Sequence, residues 1–136
     1  MIRSERPPNY DAIVAVFPGA AAHGILFAYG EDIYNPSNVR IPDSLVAHEY
    51  KHCARQFLTS AQTWWDGYLT DPEFRYQEEL LAHTEELRTA LRKCFDRNAR
   101  FKLLDHTARR LIAPLYNYNP KRPLRAAMAD LQRMLG

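Results

Sequence analysis

The chain has 136 residues, of which 46% are hydrophobic and 25% charged, and its net charge is +2. This balance is typical of one globular domain over residues 1–136, and it excludes a disordered segment, a collagen-like fibre and a disulfide-stapled miniprotein. The near-neutral total hides an uneven distribution, because residues 1–87 hold 6 Lys/Arg and 13 Asp/Glu whereas residues 88–136 hold 12 and 3. Such a split is compatible with an acidic site in one half and an anionic partner for the other.

The first third of the chain predicts one helix and one small β-hairpin. Apolar residues recur at helical spacing over residues 10–17, and the pattern stops at Pro18-Gly19. The apolar segment 25–29 ends at Gly30, which is typical of a strand, and Ile33-Tyr34 is its expected hairpin partner.

The remaining residues predict helices. One begins at Pro42-Asp43-Ser44, and a connection over residues 59–71 contains a short helix. A long helix follows over roughly 72–97, then a helix with apolar positions over 101–115, and a last helix after Pro123. The predicted fold class is therefore α+β and mainly helical, with a small β-hairpin or sheet near the front.

Residues 48–52 read HEYKH, an HExxH motif, on the helix that begins after Pro42. Histidines four residues apart project from one face of a helix, so both imidazoles can bind one zinc ion. Glu49 lies about 100° round the helix, where it can act as general base on a water molecule next to the metal. The alternative is two surface histidines beside a solvated glutamate. The apolar run Leu45-Val46-Ala47 favours the metal site, because it predicts a buried helix. Two histidines and a glutamate are unfavourable in a protein core unless they have a partner, and a metal ion is such a partner.

A catalytic zinc site needs a third protein ligand, and no third histidine follows the motif at a suitable spacing. The long helix offers two adjacent glutamates. If Leu80 marks the centre of its apolar stripe, Glu79 lies about 100° from that centre and Glu78 about 160°. Glu79 can therefore face the HExxH helix, whereas Glu78 is expected to point to solvent. Glu79 is the preferred ligand; Glu78 is the first alternative, and in the second both acids only favour the helix dipole.

This combination resembles the gluzincin class of zinc metallopeptidases and, more narrowly, small phage and prophage proteins classed as metallopeptidases. The similar stretches cover most of residues 25–118: ILFAYGEDIYNP, IPDSLVAHEYKHCARQ, WWDGYLTDPEFRYQEELLAH and RRLIAPLYNY. The resemblance implies a minimal zincin-like domain, in which the HExxH helix packs on a Glu-bearing helix. It implies a zinc ion bound by His48, His52 and Glu79, with Glu49 as general base.

The resemblance also implies a peptide or protein substrate. In zincins the strand before the HExxH helix often borders the cleft, so Ile25, Phe27 and Tyr29 are candidates for substrate binding by strand addition; a core hairpin strand is the equal alternative. Tyr116 is a candidate donor to the tetrahedral intermediate, although a half-buried structural tyrosine is the preferred interpretation. Larger gluzincins place an aspartate four residues after the ligand glutamate, where it orients a zinc-bound histidine. Here that position is His83, so another residue must supply the contact.

Three functions remain open at this point. Zinc-dependent peptide-bond hydrolysis leads. The second is a non-catalytic phage assembly or interaction protein with a structural or vestigial zinc site. The third is a nucleic-acid-associated protein that uses the basic residues 88–136, for which solvated helix faces are the preferred interpretation.

The expected compartment is the cytoplasm, which is the host cytoplasm for a phage-encoded protein. The start, MIRSERPPNY, lacks the apolar core of a secretory signal. Cys53 and Cys94 form no CxxC pair and are expected to be reduced. Neither a membrane partner nor a particular oligomeric state is predicted.

Overall fold

The computed structural model describes all residues, 1–136, as six α-helices and one three-stranded sheet. The predicted mainly helical α+β class is confirmed. The α-helices are α1 (Tyr10–Val16), α2 (Asp43–Phe57), α3 (Ala61–Thr70), α4 (Pro72–Leu91), α5 (Arg97–Leu111) and α6 (Leu124–Leu135). The strands are β1 (Ile2–Arg3), β2 (Phe27–Tyr29) and β3 (Asp32–Tyr34), and 3-10 helices span Pro18–Ala21 and Pro114–Tyr116.

The sheet has the strand order β1-β3-β2, so β2 forms an edge. β2 and β3 are antiparallel and are joined by a two-residue turn at Gly30-Glu31, where Gly30 adopts a φ of +64°. A glycine suits this turn because L-residues rarely adopt positive φ. β2 is shorter than the predicted segment 25–29. β1, which pairs with β3 in parallel, is too short for a sequence pattern to predict.

α4 is the central helix and packs most extensively on α2. Its start follows local rules, because Asp71 accepts hydrogen bonds from two backbone N–H groups of the first turn and Pro72 occupies the first helical position. Its end is earlier than the predicted residue 97. Asp96 caps α5 by accepting from the N–H of Ala99, so residues 92–96 form a connection instead of another helical turn.

Two apolar clusters flank the polar centre of the molecule. The helical core consists of Tyr76, Leu80, Leu87, Leu104, Ala108, Leu111, Tyr118, Ala127 and Leu131. The aromatic cluster consists of Ile13, Phe17, Ala20, Phe27, Tyr34, Trp64, Trp65 and Tyr68. Both cysteines are free, and Cys53 is buried. None of the helices combines the length and the apolar character needed to cross a bilayer.

Candidate metal centre

The two histidines of the HExxH motif lie on the face of α2 that packs against α4. Both are buried, and their ring centroids are 5.0 Å apart. His48 Nε2 lies 3.4 Å from Glu79 Oε1, and His52 Nε2 lies 3.0 Å from Glu79 Oε2. Ligands about 2.1 Å from a tetrahedral zinc ion are about 3.4 Å from one another. One ligand atom from each of the three side chains lies within 4.8 Å of the other two, which is close enough for one ion to bind all three.

One buried oxygen of this cluster lacks a hydrogen-bond donor. Tyr68 donates to Glu79 Oε2 at 2.7 Å, whereas Glu79 Oε1 makes no hydrogen bond and has only ring nitrogens of His48 and His83 near it, each at 3.4 Å. A buried carboxylate oxygen without a partner is unfavourable. Burial alone would raise the pKa of Glu79, but the adjacent His52 and His48 hold it well below its usual range, so the carboxylate remains charged. Two imidazoles and an incompletely paired carboxylate are a donor set that fits zinc.

The charge distribution also favours a cation between α2 and α4. Burial alone would lower the pKa of His48, but the carboxylates of Glu79 and Glu86 outweigh it and raise this pKa to about 10. The surrounding carboxylates thus favour the proton that gives the His48 ring a positive charge. Because metal ions compete with protons for the same nitrogen, a divalent cation can take the place of this proton.

Glu86 is a site residue that the sequence analysis missed. It accepts a hydrogen bond from His48 Nδ1 at 3.0 Å and forms an ion pair with Arg110 of α5. Burial alone would raise the pKa of Glu86, but His48 and the neighbouring positive charges lower it to about 2. A carboxylate on Nδ1 fixes the ring so that Nε2 faces the metal position. Glu86 could have been predicted from the sequence, because the spacing of Glu79, His83 and Glu86 places all three on one face of α4.

His83 does not take the part of the aspartate found in larger gluzincins. Its Nδ1 donates to the backbone carbonyl of Glu79 at 2.8 Å, and its ring centroid lies 4.5 Å from that of His48. Burial, together with the nearby His48, lowers the pKa of His83 to about 4, so the ring is neutral. The contact that orients His48 comes instead from Glu86, one turn further along α4.

His48, His83 and Glu86 form a second group that could hold a cation. This group is less suitable than the first. Its carboxylate is already paired with both His48 and Arg110, and neither His83 nor Glu86 lines the cavity described below. The first group combines a free carboxylate oxygen with access to that cavity.

Glu78 is not solvent-exposed, so this sequence prediction was wrong. The side chain is buried and accepts hydrogen bonds from the guanidinium of Arg55 at 3.0 Å and from Trp64 Nε1 at 2.7 Å. It thereby ties α4 to α2 and α3. Because its oxygens are occupied by these donors, Glu78 is a structural anchor and Glu79 is the glutamate that meets the histidines.

The cluster opens on a cavity of about 160 Å³, and the motif glutamate lines it. Glu49 Oε1 lies 3.9 Å from His48 Nε2, which is near but beyond hydrogen-bond distance. Burial raises the pKa of Glu49. The glutamate is therefore adjacent to the metal position without being one of its three converging ligands.

The candidate substrate residues differ in their placement. Ile25 and Phe27 line the cavity, whereas Tyr29 does not. Ala28 pairs with Ile33, whose own N–H donates to the carbonyl of Met1 beside β1, so the polar groups of Ala28 face the free edge of β2. The Ala28 carbonyl on this edge already accepts from Gln56 Nε2 and Trp65 Nε1. A substrate strand that pairs with this edge could therefore accept a hydrogen bond from the N–H of Ala28, but could not donate to a free carbonyl of Ala28.

Tyr116 lines the same cavity from the 3-10 helix after α5. Arg75 of α4 fixes this segment, because its guanidinium donates to the carbonyls of Tyr116, Asn117 and Tyr68. Burial holds the pKa of Tyr116 well above its ordinary value, so the hydroxyl keeps its proton.

The structure thus brings seven of the eight site residues predicted from the sequence around the cavity and leaves Tyr29 outside it. Four of them, His48, Glu49, His52 and Glu79, come from two packed helices. Comparison with protein-family models, with curated proteins and with solved structures gives no match.

Proposed function

We propose that the chain is a zinc-dependent peptidase of gluzincin type, with zinc held by His48, His52 and Glu79. The observation that carries this proposal is the convergence of these three side chains, whose ligand atoms lie within 4.8 Å of one another, on a cavity that Glu49 also lines. A surface HExxH sequence would not need a buried carboxylate from a second helix. The unpaired oxygen of Glu79 further supports a cation at this place.

The residues of the chain have distinct parts in the reaction. A zinc ion in this site supplies a Lewis acid that polarises the peptide carbonyl and lowers the pKa of a water molecule. Glu49 would serve as the general base, accepting a proton from a water molecule in the cavity and delivering it to the nitrogen of the leaving amine. Its side chain is 12% exposed, against 3% for Glu79, which agrees with a group that works at the cavity surface. Glu86 keeps His48 oriented, and Tyr116 offers a hydroxyl donor to the tetrahedral intermediate.

The test compares the wild type with Glu49→Gln after both have been loaded with zinc. Products of a mixed peptide library are measured by mass spectrometry, zinc by elemental analysis and Tm by calorimetry. Loss of the general base should lower the rate of hydrolysis by about 10²–10⁴-fold. Zinc content and Tm should change little, because Glu49 is not a ligand. Glu31→Gln, in the exposed turn between β2 and β3, is the matched control and should keep full activity.

Two outcomes would contradict the proposal. If Glu49→Gln hydrolyses the library as fast as the wild type, the activity does not arise from this site. If both proteins hold one zinc ion and neither cleaves any peptide, a non-catalytic interaction protein with a structural zinc site becomes the better account.

A further inference from the structure

The cavity wall contains one permanently positive side chain, that of Arg110 on α5. Its Nη1 pairs with Glu86, and this is the hydrogen bond that the guanidinium makes within the protein. The side chain is 36% exposed. A guanidinium has five N–H donors in a planar fork that matches a carboxylate. Arg110 therefore has donors left for a group that enters the cavity.

The charges around Arg110 indicate the charge of a substrate group that could bind there. Glu49 and Glu79 lie at the candidate metal position, and Glu86 lies behind it on the other ring nitrogen of His48; without a cation these carboxylates repel an anion. A bound dication together with Arg110 balances these three negative charges. An anionic group of a substrate can then approach the wall on which Arg110 lies, where a charge-assisted hydrogen bond is available.

We propose that Arg110 binds a carboxylate of the substrate. This inference rests on the proposed function, because it takes the cavity as the substrate site. The rest of the wall is largely apolar and includes Phe17, Ile25 and Leu115, which can receive an apolar side chain. The favoured substrates are therefore peptides with a carboxylate next to an apolar residue. The carboxylate belongs either to the C-terminus or to an aspartate or glutamate side chain.

The test measures binding by NMR titration, so that it does not depend on turnover. The first pair of probes is N-acetyl-leucine and N-acetyl-leucinamide, which differ in the terminal carboxylate. The second pair is N-acetyl-aspartyl-leucinamide and N-acetyl-asparaginyl-leucinamide, which differ in a side-chain carboxylate. The pair with the larger discrimination identifies the source of the carboxylate. For that pair the zinc-loaded wild type should bind the acid about tenfold more tightly, the low end for a charge-assisted hydrogen bond in a partly exposed site.

Variants at two adjacent arginines assign this preference. Arg110→Gln should bind acid and amide equally, and Arg110→Lys should retain part of the preference, because it keeps the charge but not the fork. Arg109→Gln is the matched control, since Arg109 is exposed and pairs with Asp105, and it should behave like the wild type. All titrations are made in excess zinc with the zinc content measured, because Arg110 also contacts Glu86.

The result that overturns the inference is a preference for the acid that persists in zinc-loaded Arg110→Gln, since the carboxylate would then bind the metal. Equal binding of acid and amide by the wild type, or binding of neither, overturns it too. Peptide hydrolysis without carboxylate preference would remove this inference alone. Carboxylate preference without any hydrolysis would remove the peptidase proposal and leave Arg110 as a ligand-binding residue.

Discussion

The two sides of α4 are equally buried but differ in chemistry. On one side Leu80 and Leu87 pack into the helical core among other apolar residues. On the other side Glu79, His83 and Glu86 face His48 and the other polar groups of the centre. Leu87 and His83 are both 0% exposed, so burial alone does not distinguish these sides.

The difference teaches what each side contributes. Apolar burial stabilises the fold directly, at about 25 cal/mol per Å² of surface removed from water. Burial of carboxylates and imidazoles is unfavourable unless they are paired, and one oxygen of Glu79 makes no hydrogen bond. We therefore infer that the apolar side holds the domain together, and that the polar side is kept for a cation. Substitutions on the two sides should separate stability from metal binding.

The largest effect is expected for two adjacent glutamates. Glu79→Gln should abolish the binding of one equivalent of zinc, because it removes the negative ligand that faces both histidines. Glu78→Gln should keep one equivalent, since Glu78 is occupied by Arg55 and Trp64. Elemental analysis of both purified variants measures this. Zinc retained in Glu79→Gln and lost in Glu78→Gln would reverse the assignment.

The next effect concerns the apolar side alone. Leu87→Ala should lower the free energy of unfolding by about 2–5 kcal/mol, because it leaves a cavity in the helical core. The zinc affinity of the folded protein should stay within a factor of about two, since the substitution leaves the ligands in place. Denaturant titration and a chelator competition give the two quantities. A large loss of zinc affinity would show that the two sides of α4 are coupled.

Removal of zinc by a chelator should destabilise the protein through the polar side of α4. At free zinc 100-fold above its Kd, the ion stabilises the folded state by about 2.7 kcal/mol. A chelator should therefore lower the Tm of the wild type. It should leave the Tm of Glu79→Gln unchanged, because that variant holds no zinc. Calorimetry with and without zinc tests this, and an equal shift in both proteins would place the ion elsewhere.

The smallest effect is expected for the residue that orients His48. Glu86→Gln should weaken zinc binding by about 10–100-fold without changing its stoichiometry in excess zinc. The neighbouring Glu85→Gln is the control, because Glu85 pairs with Arg88 near the surface. A chelator competition measures both affinities. Equal affinities in the wild type and Glu86→Gln would show that the hydrogen bond to His48 Nδ1 does not support the site.

Local patterns predicted the helices and the face of α2 well, because helical spacing and caps are properties of short segments. Helical phase also favoured Glu79 as the ligand, and Glu79 lies against both histidines. Helical phase gave the wrong result for Glu78. The position of Glu78 was measured from a single apolar stripe centred on Leu80, as if only one side of α4 were packed against other elements. In the structure Arg55 and Trp64 cover the outer side of its first turns.

Contacts between distant segments could not be predicted from such patterns. Glu86 joins the site because α2 crosses α4 at that turn, and Arg110 joins because α5 packs on α4. Glu86 and Arg110 are separated by the end of α4, a connection and most of α5, and helical phase does not say which helices become neighbours. The end of α4 was also predicted too late, because the cap at Asp96 begins a new helix rather than ending the old one.

The most direct test is a crystal structure of the zinc-loaded protein with anomalous data collected at the zinc edge. The account predicts one anomalous peak, within about 2.2 Å of His48 Nε2, His52 Nε2 and a carboxylate oxygen of Glu79. A peak between His48 Nδ1, His83 and Glu86, or no peak in a crystal grown with zinc, would contradict it.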